Sequence, residues 1–336
     1  MKNHDRAAAR LAWIRRILDD ASLTLESASV DASFRSYWRT HHAGQSWIVM
    51  DSPPAQEDPS PWLEIGARLL AAGLHVPKVQ AQDLEQGFLL IEDLGSQLYL
   101  PVLAEDTADA LYADAMDALL IMQRDADVDG LPPYDHAFLE LELAIMPEWF
   151  LGRHLRRELS PAQSRVIENA FNTLTESALE QPRCFVHRDF HSRNLLITDR
   201  DNPGIIDFQG ARHGPITYDL ASLLRDCYIV WAPERVDAWA EGYRRKLLAA
   251  GLIPADTDSA RFQRWFDLIG LQRHLKVLGI FCRLCYRDGK PGYLDDLPRV
   301  YDYVIDVAGR YPELADFVAL MQHSVGNRDL RQAASA

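Results

Sequence analysis

The sequence predicts an α+β protein in which a small antiparallel sheet comes first and a larger helical part follows. Short runs rich in β-branched and aromatic residues, separated by turn residues, are typical of residues 1–95. Apolar residues repeat at helical spacing over most of residues 96–336. A turn signal at residues 92–95 separates the two patterns. We therefore expect a domain boundary at residue 95.

The composition limits the classes of partner. The chain has 336 residues, of which 48% are hydrophobic and 25% are charged, as in globular proteins. Its formal net charge of -14 repels phosphate backbones and anionic lipid heads, so we expect neither a nucleic-acid nor a membrane partner. No signal peptide and no apolar run of about 18 residues is visible, which favours the cytoplasm. We interpret Cys282 and Cys285 as reduced core residues, because no second pair of zinc ligands accompanies them.

The expected elements of residues 1–95 are a helix, three strands, a second helix and two more strands. The first helix covers about residues 3–20. A connection of small residues joins the first two strands, and the second helix has Pro61 at its start and Gly73 at its end. The strands are expected at residues 23–26, 34–40, 46–50, 76–81 and 87–91.

The pattern over residues 96–336 predicts helices with one β-like island at residues 185–207. Within the island, two short apolar runs flank a polar stretch rich in turn residues. This arrangement predicts a β-hairpin with strands at residues 195–197 and 205–206. The clearest helices are expected at residues 106–126, 140–158 and 161–179.

The predicted hairpin brings chemically useful side chains together. Asn194 stands at the start of its first strand and Asp207 at the end of its second, so both offer oxygen ligands at one end of the hairpin. Mg²⁺ takes a few hard oxygen ligands and keeps the rest of its shell for water and phosphate. Asp189 lies five residues before Asn194 and could accept a proton from an attacking hydroxyl. The sequence therefore predicts oxygen ligands suited to Mg²⁺ with a candidate proton acceptor nearby.

These residues resemble the catalytic half of the protein-kinase-like superfamily. The shared set is His187-Arg188-Asp189, an Asn five residues beyond the Asp, and an Asp-Phe pair that begins at Asp207. All of its members occur in order and on a hairpin pattern. The resemblance implies ATP and Mg²⁺ as cofactors, with Asp189, Asn194 and Asp207 as catalytic residues and Asn194 and Asp207 as metal ligands.

Other residues narrow the family. His191 stands two residues beyond Asp189, and Gln209 occupies a position where protein kinases have Gly. The chain therefore resembles the aminoglycoside and choline phosphotransferases, in which Asp219 would tie down the catalytic loop. Further segments are similar to one bacterial subgroup, the anomeric N-acetylmuramate and N-acetylglucosamine kinases of cell-wall recycling: residues 49–54, 87–95, 187–194, 206–211 and 271–279.

The resemblance implies a bilobal, protein-kinase-like fold. Its small antiparallel-sheet lobe, residues 1–95, would bind the nucleotide. The helical lobe, residues 96–336, would hold the catalytic loop and the acceptor site. Backbone groups of Glu92 and Leu94 would bind the adenine edge.

The third expected strand departs from the family pattern. It lacks the Lys that normally holds the ATP phosphates, and Met50 stands near that place. No Gly-rich loop is present, and the small residues that end at Ser33 are the candidate phosphate contacts instead. Arg35 and Arg39 are expected on one face of the second strand, where either could reach the nucleotide. Glu64, without its usual Lys partner, is expected at the surface.

The acceptor site is expected to combine aromatic rings with hydrogen-bonding groups. The resemblance places residues 148–150 and 225–228 on helices near the catalytic loop. An Arg would suit the lactyl carboxylate of N-acetylmuramate. The candidate acceptor residues are Asp189, His191, Glu148, Trp149, Arg225, Tyr228 and Arg273. Core packing or surface solvation is the alternative role for the aromatic and Arg candidates.

The resemblance thus implies an ATP-dependent kinase of a small sugar, acting at the anomeric hydroxyl in peptidoglycan recycling. A kinase of an aminoglycoside or a choline-like amine is one alternative, since the net charge of -14 is compatible with a cationic substrate. A pseudokinase that only binds nucleotide is another, because the strand Lys is missing.

Overall fold

The structure, a computed structural model, describes residues 3–30 and 34–333. The candidate phosphate contact at Ser33 lies outside these residues. The helices are α1 Asn3–Ile17, α2 Ser60–Ala71, α3 Ala108–Asp125, α4 His136–Leu143, α5 Pro161–Leu179, α6 Tyr218–Leu224, α7 Pro233–Ala249, α8 Ser259–Tyr286, α9 Leu297–Ala308 and α10 Ala315–Val325. The strands are β1 Glu26–Val30, β2 Ser36–His42, β3 Gln45–Asp51, β4 Val79–Asp83, β5 Phe88–Glu92, β6 Arg183–Val186, β7 Leu195–Leu196, β8 Gly204–Ile205 and β9 Arg212–Pro215.

The α+β prediction is confirmed. The contacts divide the chain into two compact units. Unit 1 comprises residues 1–127 and 193–210, and unit 2 comprises residues 128–192 and 211–336. The functional boundary expected at residue 95 stays a prediction. In the part of the chain that the structure describes, no helix has the length and apolar character needed to cross a bilayer.

Unit 1 is built on a five-stranded antiparallel sheet in the order β1-β2-β3-β5-β4. Helix α1 covers one face of the sheet with Trp13 and Ile14, which pack against Val49, Phe88 and Leu90. Burial of these apolar side chains stabilises the sheet, and alternation along the strands sets which side chains face the helix. Helix α1 and the sheet therefore share one hydrophobic core, which holds the strands in place.

The predicted first strand is wrong by about three residues. The strand is Glu26–Val30, and its small residues Ser27 and Ser29 pair with β2 around a bulge. Main-chain pairing does not require large side chains, whereas Leu23 belongs to the core under α1 and not to a strand. β2 begins at Ser36, so Arg35 precedes the strand instead of lying on it.

The predicted catalytic hairpin is confirmed, with shorter strands than expected. β7 and β8 pair antiparallel through Leu195 and Ile205, and both strands are buried. The backbone N–H of Ile206 donates to the carbonyl of Asn194 at 3.1 Å, which extends the ladder by one bond. Unit 1 thus contains the sheet and the hairpin together.

Unit 2 is helical apart from the pair β6 and β9. Its central element is α8, which is buried along most of its length. A Cβ at Gly279 would lie 2.5 Å from the carbonyl oxygen of Ile145, so the absence of a side chain lets α8 approach that backbone closely. Cys282 is buried in the same core, and the four cysteines are free thiols.

The single helix expected at residues 140–158 is wrong. The structure has α4, which ends at Leu143, and a separate π-helix at Met146–His154. Pro147 explains the break, because it has no backbone N–H to donate to the preceding turn. The helix expected at residues 161–179 is confirmed as α5, whose capping box at Ser160 and Gln163 fixes its start.

Candidate active site

The hairpin of unit 1 brings Asn194 and Asp207 together, as predicted. Asn194 Nδ2 lies 3.4 Å from Asp207 Oδ2. Asp207 has φ +64°, a backbone conformation that L-residues rarely adopt. Gln209 Nε2 donates to Asp207 Oδ1 at 2.8 Å, so a side chain two residues on holds the carboxylate. Strain of this kind persists where the surrounding structure enforces it, and such positions cluster at functional sites.

A cavity of about 350 Å³ in unit 1 opens onto this pair. Asn194 and Asp207 form part of its wall, together with residues 92–96 of the segment that follows β5. Its apolar lining comes from both sheet and hairpin. The apolar side chains of the lining include Ile48, Ile91, Leu94, Leu196 and Ile206.

The segment after β5 is held by a hydrogen-bonded turn. Arg39 donates to both carboxylate oxygens of Asp93, at 2.6 and 3.0 Å, and Ser46 also donates to Asp93. The backbone N–H of Gly95 donates to Asp93 Oδ1 at 3.0 Å. Among the described residues the backbone N–H of Leu94 has no hydrogen-bond partner, so it is available to a ligand in the cavity.

The structure gives Arg35 and Arg39 different surroundings, and the prediction that either reaches the nucleotide stays a prediction. Arg39 lines the cavity but is bound to Asp93. Arg35 is buried and lies 3.2 Å from Glu57 and 3.7 Å from Asp207 Oδ1. It therefore lies between the carboxylate of Glu57 and that of Asp207, the candidate metal ligand. Glu64 is exposed and pairs with Arg68 at 2.7 Å, which confirms the expected surface position.

Unit 2 holds the loop that carries Asp189. Asp219 Oδ2 accepts the backbone N–H of His187 at 2.6 Å, and its Oδ1 accepts that of Arg188 at 2.9 Å. The predicted role of Asp219 in tying down the loop is confirmed. Burial raises the pKa of Asp219 to about 7, against the two N–H groups that favour its ionised form. Arg188 has φ +78°, so the loop is turned sharply just before Asp189.

The environment of Asp189 favours its carboxylate. Burial by itself would raise the pKa of Asp189, but the charges of Lys276, Arg273 and Arg188, together with the ring of His191, outweigh it and lower the pKa. The ionised form is the one that can accept a proton.

A buried carboxylate, Glu142 on α4, balances two of these cations. Arg188 Nη2 donates to Glu142 Oε1 at 2.7 Å, and Lys276 Nζ lies 3.3 Å from the same oxygen. Gln272 Nε2 lies 3.3 Å from Oε2, which also accepts the hydroxyl of Tyr134. Burial alone would raise the pKa of Glu142, but Lys276 and Arg188 lower it, so the group stays ionised. This network joins α4, the catalytic loop and α8.

His191 and Tyr228 are the acceptor candidates that the structure brings together. Their ring centroids are 5.6 Å apart in an edge-to-face arrangement. Asp226 connects their two loops, because it accepts the backbone N–H and the hydroxyl of Ser192, at 3.0 and 2.5 Å, and the N–H of Tyr228 at 3.0 Å.

Other acceptor candidates lie elsewhere in unit 2. Arg225 donates to the buried Asp267, and its guanidinium carbon lies 4.3 Å from the ring centroid of Phe266. Trp149 packs against the helical core, and Glu148 is exposed. The expectation that residues 225–228 lie on a helix is wrong, because α6 ends at Leu224 and the turn made by Asp226 follows.

Sequence reasoning missed the partners of these groups. Glu57, Asp93 and Glu142 form ion pairs with Arg35, Arg39 and Arg188, and Lys276 pairs with Glu142, yet none of these four partners was singled out. Lys276 lies in the segment 271–279 that carried the family resemblance, which was the available signal. Asp93 lies in the segment 87–95, which also carried the resemblance, whereas nothing local in the sequence marks Glu57 or Glu142.

Comparison with known proteins now gives the family. The model of the phosphotransferase enzyme family matches residues 24–262. The N-acetylmuramate/N-acetylglucosamine kinase of Pseudomonas putida is 47% identical over 298 residues, which cover 89% of this chain and 87% of that protein. The protein of the same name from Neisseria meningitidis is 40% identical over 324 residues, covering 95% of this chain and 96% of that protein.

Solved structures agree on the fold. An ADP-bound aminoglycoside phosphotransferase superposes with a TM-score of 0.60 at 15% identity, covering 89% of this chain and 98% of that one. The ethanolamine kinase of Plasmodium vivax gives a TM-score of 0.62 at 10% identity, covering 89% of this chain and 87% of that one. The predicted protein-kinase-like fold is confirmed.

Replacing Glu142 by Ala is expected to lower the free energy of unfolding by about 3–5 kcal/mol, because two cations would lose their buried counter-charge. Equilibrium urea unfolding followed by circular dichroism measures the change. Glu140→Ala on the same helix is the control: among the described residues this exposed side chain pairs with His136 alone, so the expected change is under about 0.5 kcal/mol. Equal effects of the two substitutions would contradict the assignment.

Proposed function

The chain belongs to the phosphotransferase enzyme family, and we propose that it is an ATP-dependent kinase of the anomeric hydroxyl of N-acetylmuramate, N-acetylglucosamine or both. The names of relatives that match most of the chain at 40 to 48% identity support this acceptor class. The observation that carries the proposal is the Asn194–Asp207 pair in the wall of an apolar cavity. ATP and a sugar are the proposed substrates, and the cytoplasm, where ATP is available, is the proposed compartment.

The cavity suits the base and ribose of a nucleotide. Its aliphatic lining on the sheet and hairpin sides fits a flat purine, and its volume of about 350 Å³ lies in the usual range of small-molecule sites. The backbone N–H of Leu94 and the carbonyl of Glu92 would bind the adenine edge. Asp93, fixed by Arg39, holds this segment in place.

The residues present fit a magnesium ion. Asn194 and Asp207 offer an amide oxygen and a carboxylate, and Mg²⁺ needs few protein ligands because water and phosphate complete its shell. When bound, the ion would neutralise charge on the transferred phosphoryl group. The contribution of this chain is to fix the two ligands, through the β7–β8 ladder and through Gln209.

Arg35 is the proposed replacement for the missing strand Lys. Its guanidinium is buried and lies 3.7 Å from Asp207, one of the proposed metal ligands, whereas Arg39 pairs with Asp93 in the turn that follows β5. Glu57 would hold Arg35 as an acidic helix residue holds the usual Lys. A chain with both a phosphate-binding cation and intact metal ligands fits a live enzyme better than a pseudokinase.

The proposed reaction is a direct phosphoryl transfer. The acceptor oxygen forms a bond to the γ-phosphorus while the bond from that phosphorus to the β-bridging oxygen breaks. ADP leaves, and the hydroxyl proton passes to the Asp189 carboxylate. The low pKa of Asp189 makes it a weak base. An anomeric hydroxyl, which is more acidic than other sugar hydroxyls, needs only weak help.

Asp189→Asn is expected to reduce kcat by about 100- to 10,000-fold, because the proton acceptor is lost. ADP release would be measured with ATP, Mg²⁺ and each of N-acetylmuramate, N-acetylglucosamine, choline and kanamycin. The methyl glycoside of N-acetylglucosamine, with its anomeric oxygen blocked, should give no ADP. Asp199→Asn in the exposed hairpin turn is the control, with activity unchanged. No turnover of either amino sugar by the unaltered protein would sink the proposed function.

Arg35→Gln is expected to raise the KM for ATP by about 10- to 100-fold with a smaller effect on the KM for sugar, since the lost contact is to phosphate. Steady-state kinetics with each substrate varied in turn measure both constants. Arg16→Gln, whose side chain is 70% exposed, is the matched control. An unchanged KM for ATP in the Arg35 variant would assign the phosphate contact to another residue.

Lys276→Met is expected to move the acidic limb of the kcat/KM profile to higher pH. In the unaltered protein Lys276 lowers the pKa of Asp189, so the active carboxylate form persists below the usual range of an Asp. Without Lys276 the base protonates at a higher pH and activity is lost earlier as the pH falls. Lys290→Met, beyond the end of α8, should leave the limb in place. An unmoved limb in the Lys276 variant would argue against Asp189 as the base.

A further inference from the structure

Helix α8 carries two cations in the interior of unit 2, and their surroundings differ. Lys276 is 5% exposed and is compensated by Glu142 and by the hydroxyl of Tyr218 at 2.7 Å. Arg273 is 4% exposed, yet among the described residues it makes no ion pair. Its single hydrogen bond goes from Nη1 to Cys227 Sγ at 3.3 Å, and its Nε has no partner.

Such an environment is unusual for a guanidinium. Buried charges are nearly always paired, and a buried N–H without a partner costs about 1–3 kcal/mol. The thiol of Cys227 is a weak acceptor and remains protonated, because burial raises its pKa. The Nε–H of Arg273 is therefore a buried donor that no group of the described residues accepts.

The location of Arg273 ties it to the proposed acceptor site. Its charge acts on the carboxylates of Asp189 and Asp226. Asp226 is bound to Ser192 and to the N–H of Tyr228, the residue whose ring meets His191. Cys227, which Arg273 contacts, lies in this same turn. Arg273 thus contacts the turn that carries Tyr228 and lies within electrostatic range of the proposed base.

We propose that Arg273 is the acceptor-anion subsite, which binds a carboxylate of the sugar and so favours N-acetylmuramate over N-acetylglucosamine. The proposal rests on the proposed sugar-kinase function. The lactyl group of N-acetylmuramate is an ether on carbon 3 of the ring, and N-acetylglucosamine has a plain hydroxyl there. A carboxylate would accept the unused Nε–H and a second guanidinium N–H together, the forked geometry that Arg provides.

The alternative candidate for this role, Arg225, also has a buried N–H without a partner, at Nη1, but unlike Arg273 it already has a buried counter-ion. It donates to Asp267, which also accepts Tyr311 at 2.9 Å and Gln263 at 2.9 Å. An incoming carboxylate would have to displace an existing buried ion pair, whereas at Arg273 it would complete one. The structure therefore separates two arginines that the sequence could not distinguish.

The experiment compares substrates within each protein, because a ratio of kcat/KM values does not depend on how much of a variant is folded. Arg273→Met is expected to lower the ratio of kcat/KM for N-acetylmuramate over N-acetylglucosamine by about 10- to 100-fold. Arg273→Lys, which keeps the charge but not the fork, should recover part of that ratio. Arg264→Met on the same helix, an exposed residue paired with Glu313, is the control and should leave the ratio unchanged.

A second measurement changes the substrate instead of the protein. The neutral lactyl amide of N-acetylmuramate should be a poorer substrate of the unaltered protein than the acid, by about 10- to 100-fold in kcat/KM. In Arg273→Met the acid and the amide should become nearly equal.

The outcomes separate the two proposals. Turnover of both sugars with an unchanged ratio in Arg273→Met, or equal rates for acid and amide in the unaltered protein, would overturn the anion subsite and leave the kinase function standing. Equal losses for both sugars also leave the ratio unchanged, so they would overturn the anion subsite and identify Arg273 as a positioning residue for Asp189. No turnover of either sugar by the unaltered protein would overturn the proposed function, and the subsite with it.

Discussion

The buried carboxylate of Glu142 is the constraint on which the architecture of unit 2 depends. Two cations from different parts of the chain share it, Arg188 from the catalytic loop and Lys276 from α8. The carboxylate offsets the cost of desolvating the buried Lys276 and the partly buried Arg188. One network of ion pairs therefore positions three elements: α4, the catalytic loop and α8. The same cations act on Asp189, so packing and protonation state are set together.

The parts of the site that the sequence could predict are those whose geometry is local. Asn194 and Asp207 lie 13 residues apart and are joined by a tight hairpin, so turn residues and apolar runs suffice to bring them together. Asp219 contacts residues 31 and 32 positions away, but the family pattern marked it. The α+β class followed from the change from short β-like runs to apolar residues at helical spacing, and such spacing is a property of whole segments.

What could not be predicted is the choice of partners over long distances. Lys276 and Glu142 are 134 residues apart, and no pattern in either segment names the other. Glu57 stands in a Pro-rich stretch that has no regular structure in the sequence pattern, although its carboxylate holds Arg35. The first strand was misplaced because its small side chains give no β signal, while main-chain pairing alone forms it. The turn after α6 depends on Asp226, which accepts hydrogen bonds from Ser192 in another loop and from Tyr228 in its own turn. The bond to Ser192 is a tertiary contact that the local sequence does not reveal.

The absence of a lysine from β3 has a consequence for the reactivity of the cavity. Among the described residues that line it, the cations are the guanidinium groups of Arg39 and Arg193, and none is a primary amine. A guanidinium stays protonated at neutral pH and is a poor nucleophile, whereas a partly deprotonated amine attacks electrophiles readily. Nucleotide analogues that label kinases by acylating the strand lysine have nothing to react with in this cavity. Selective ligands for it would instead carry anionic or forked acceptor groups, matched to arginine.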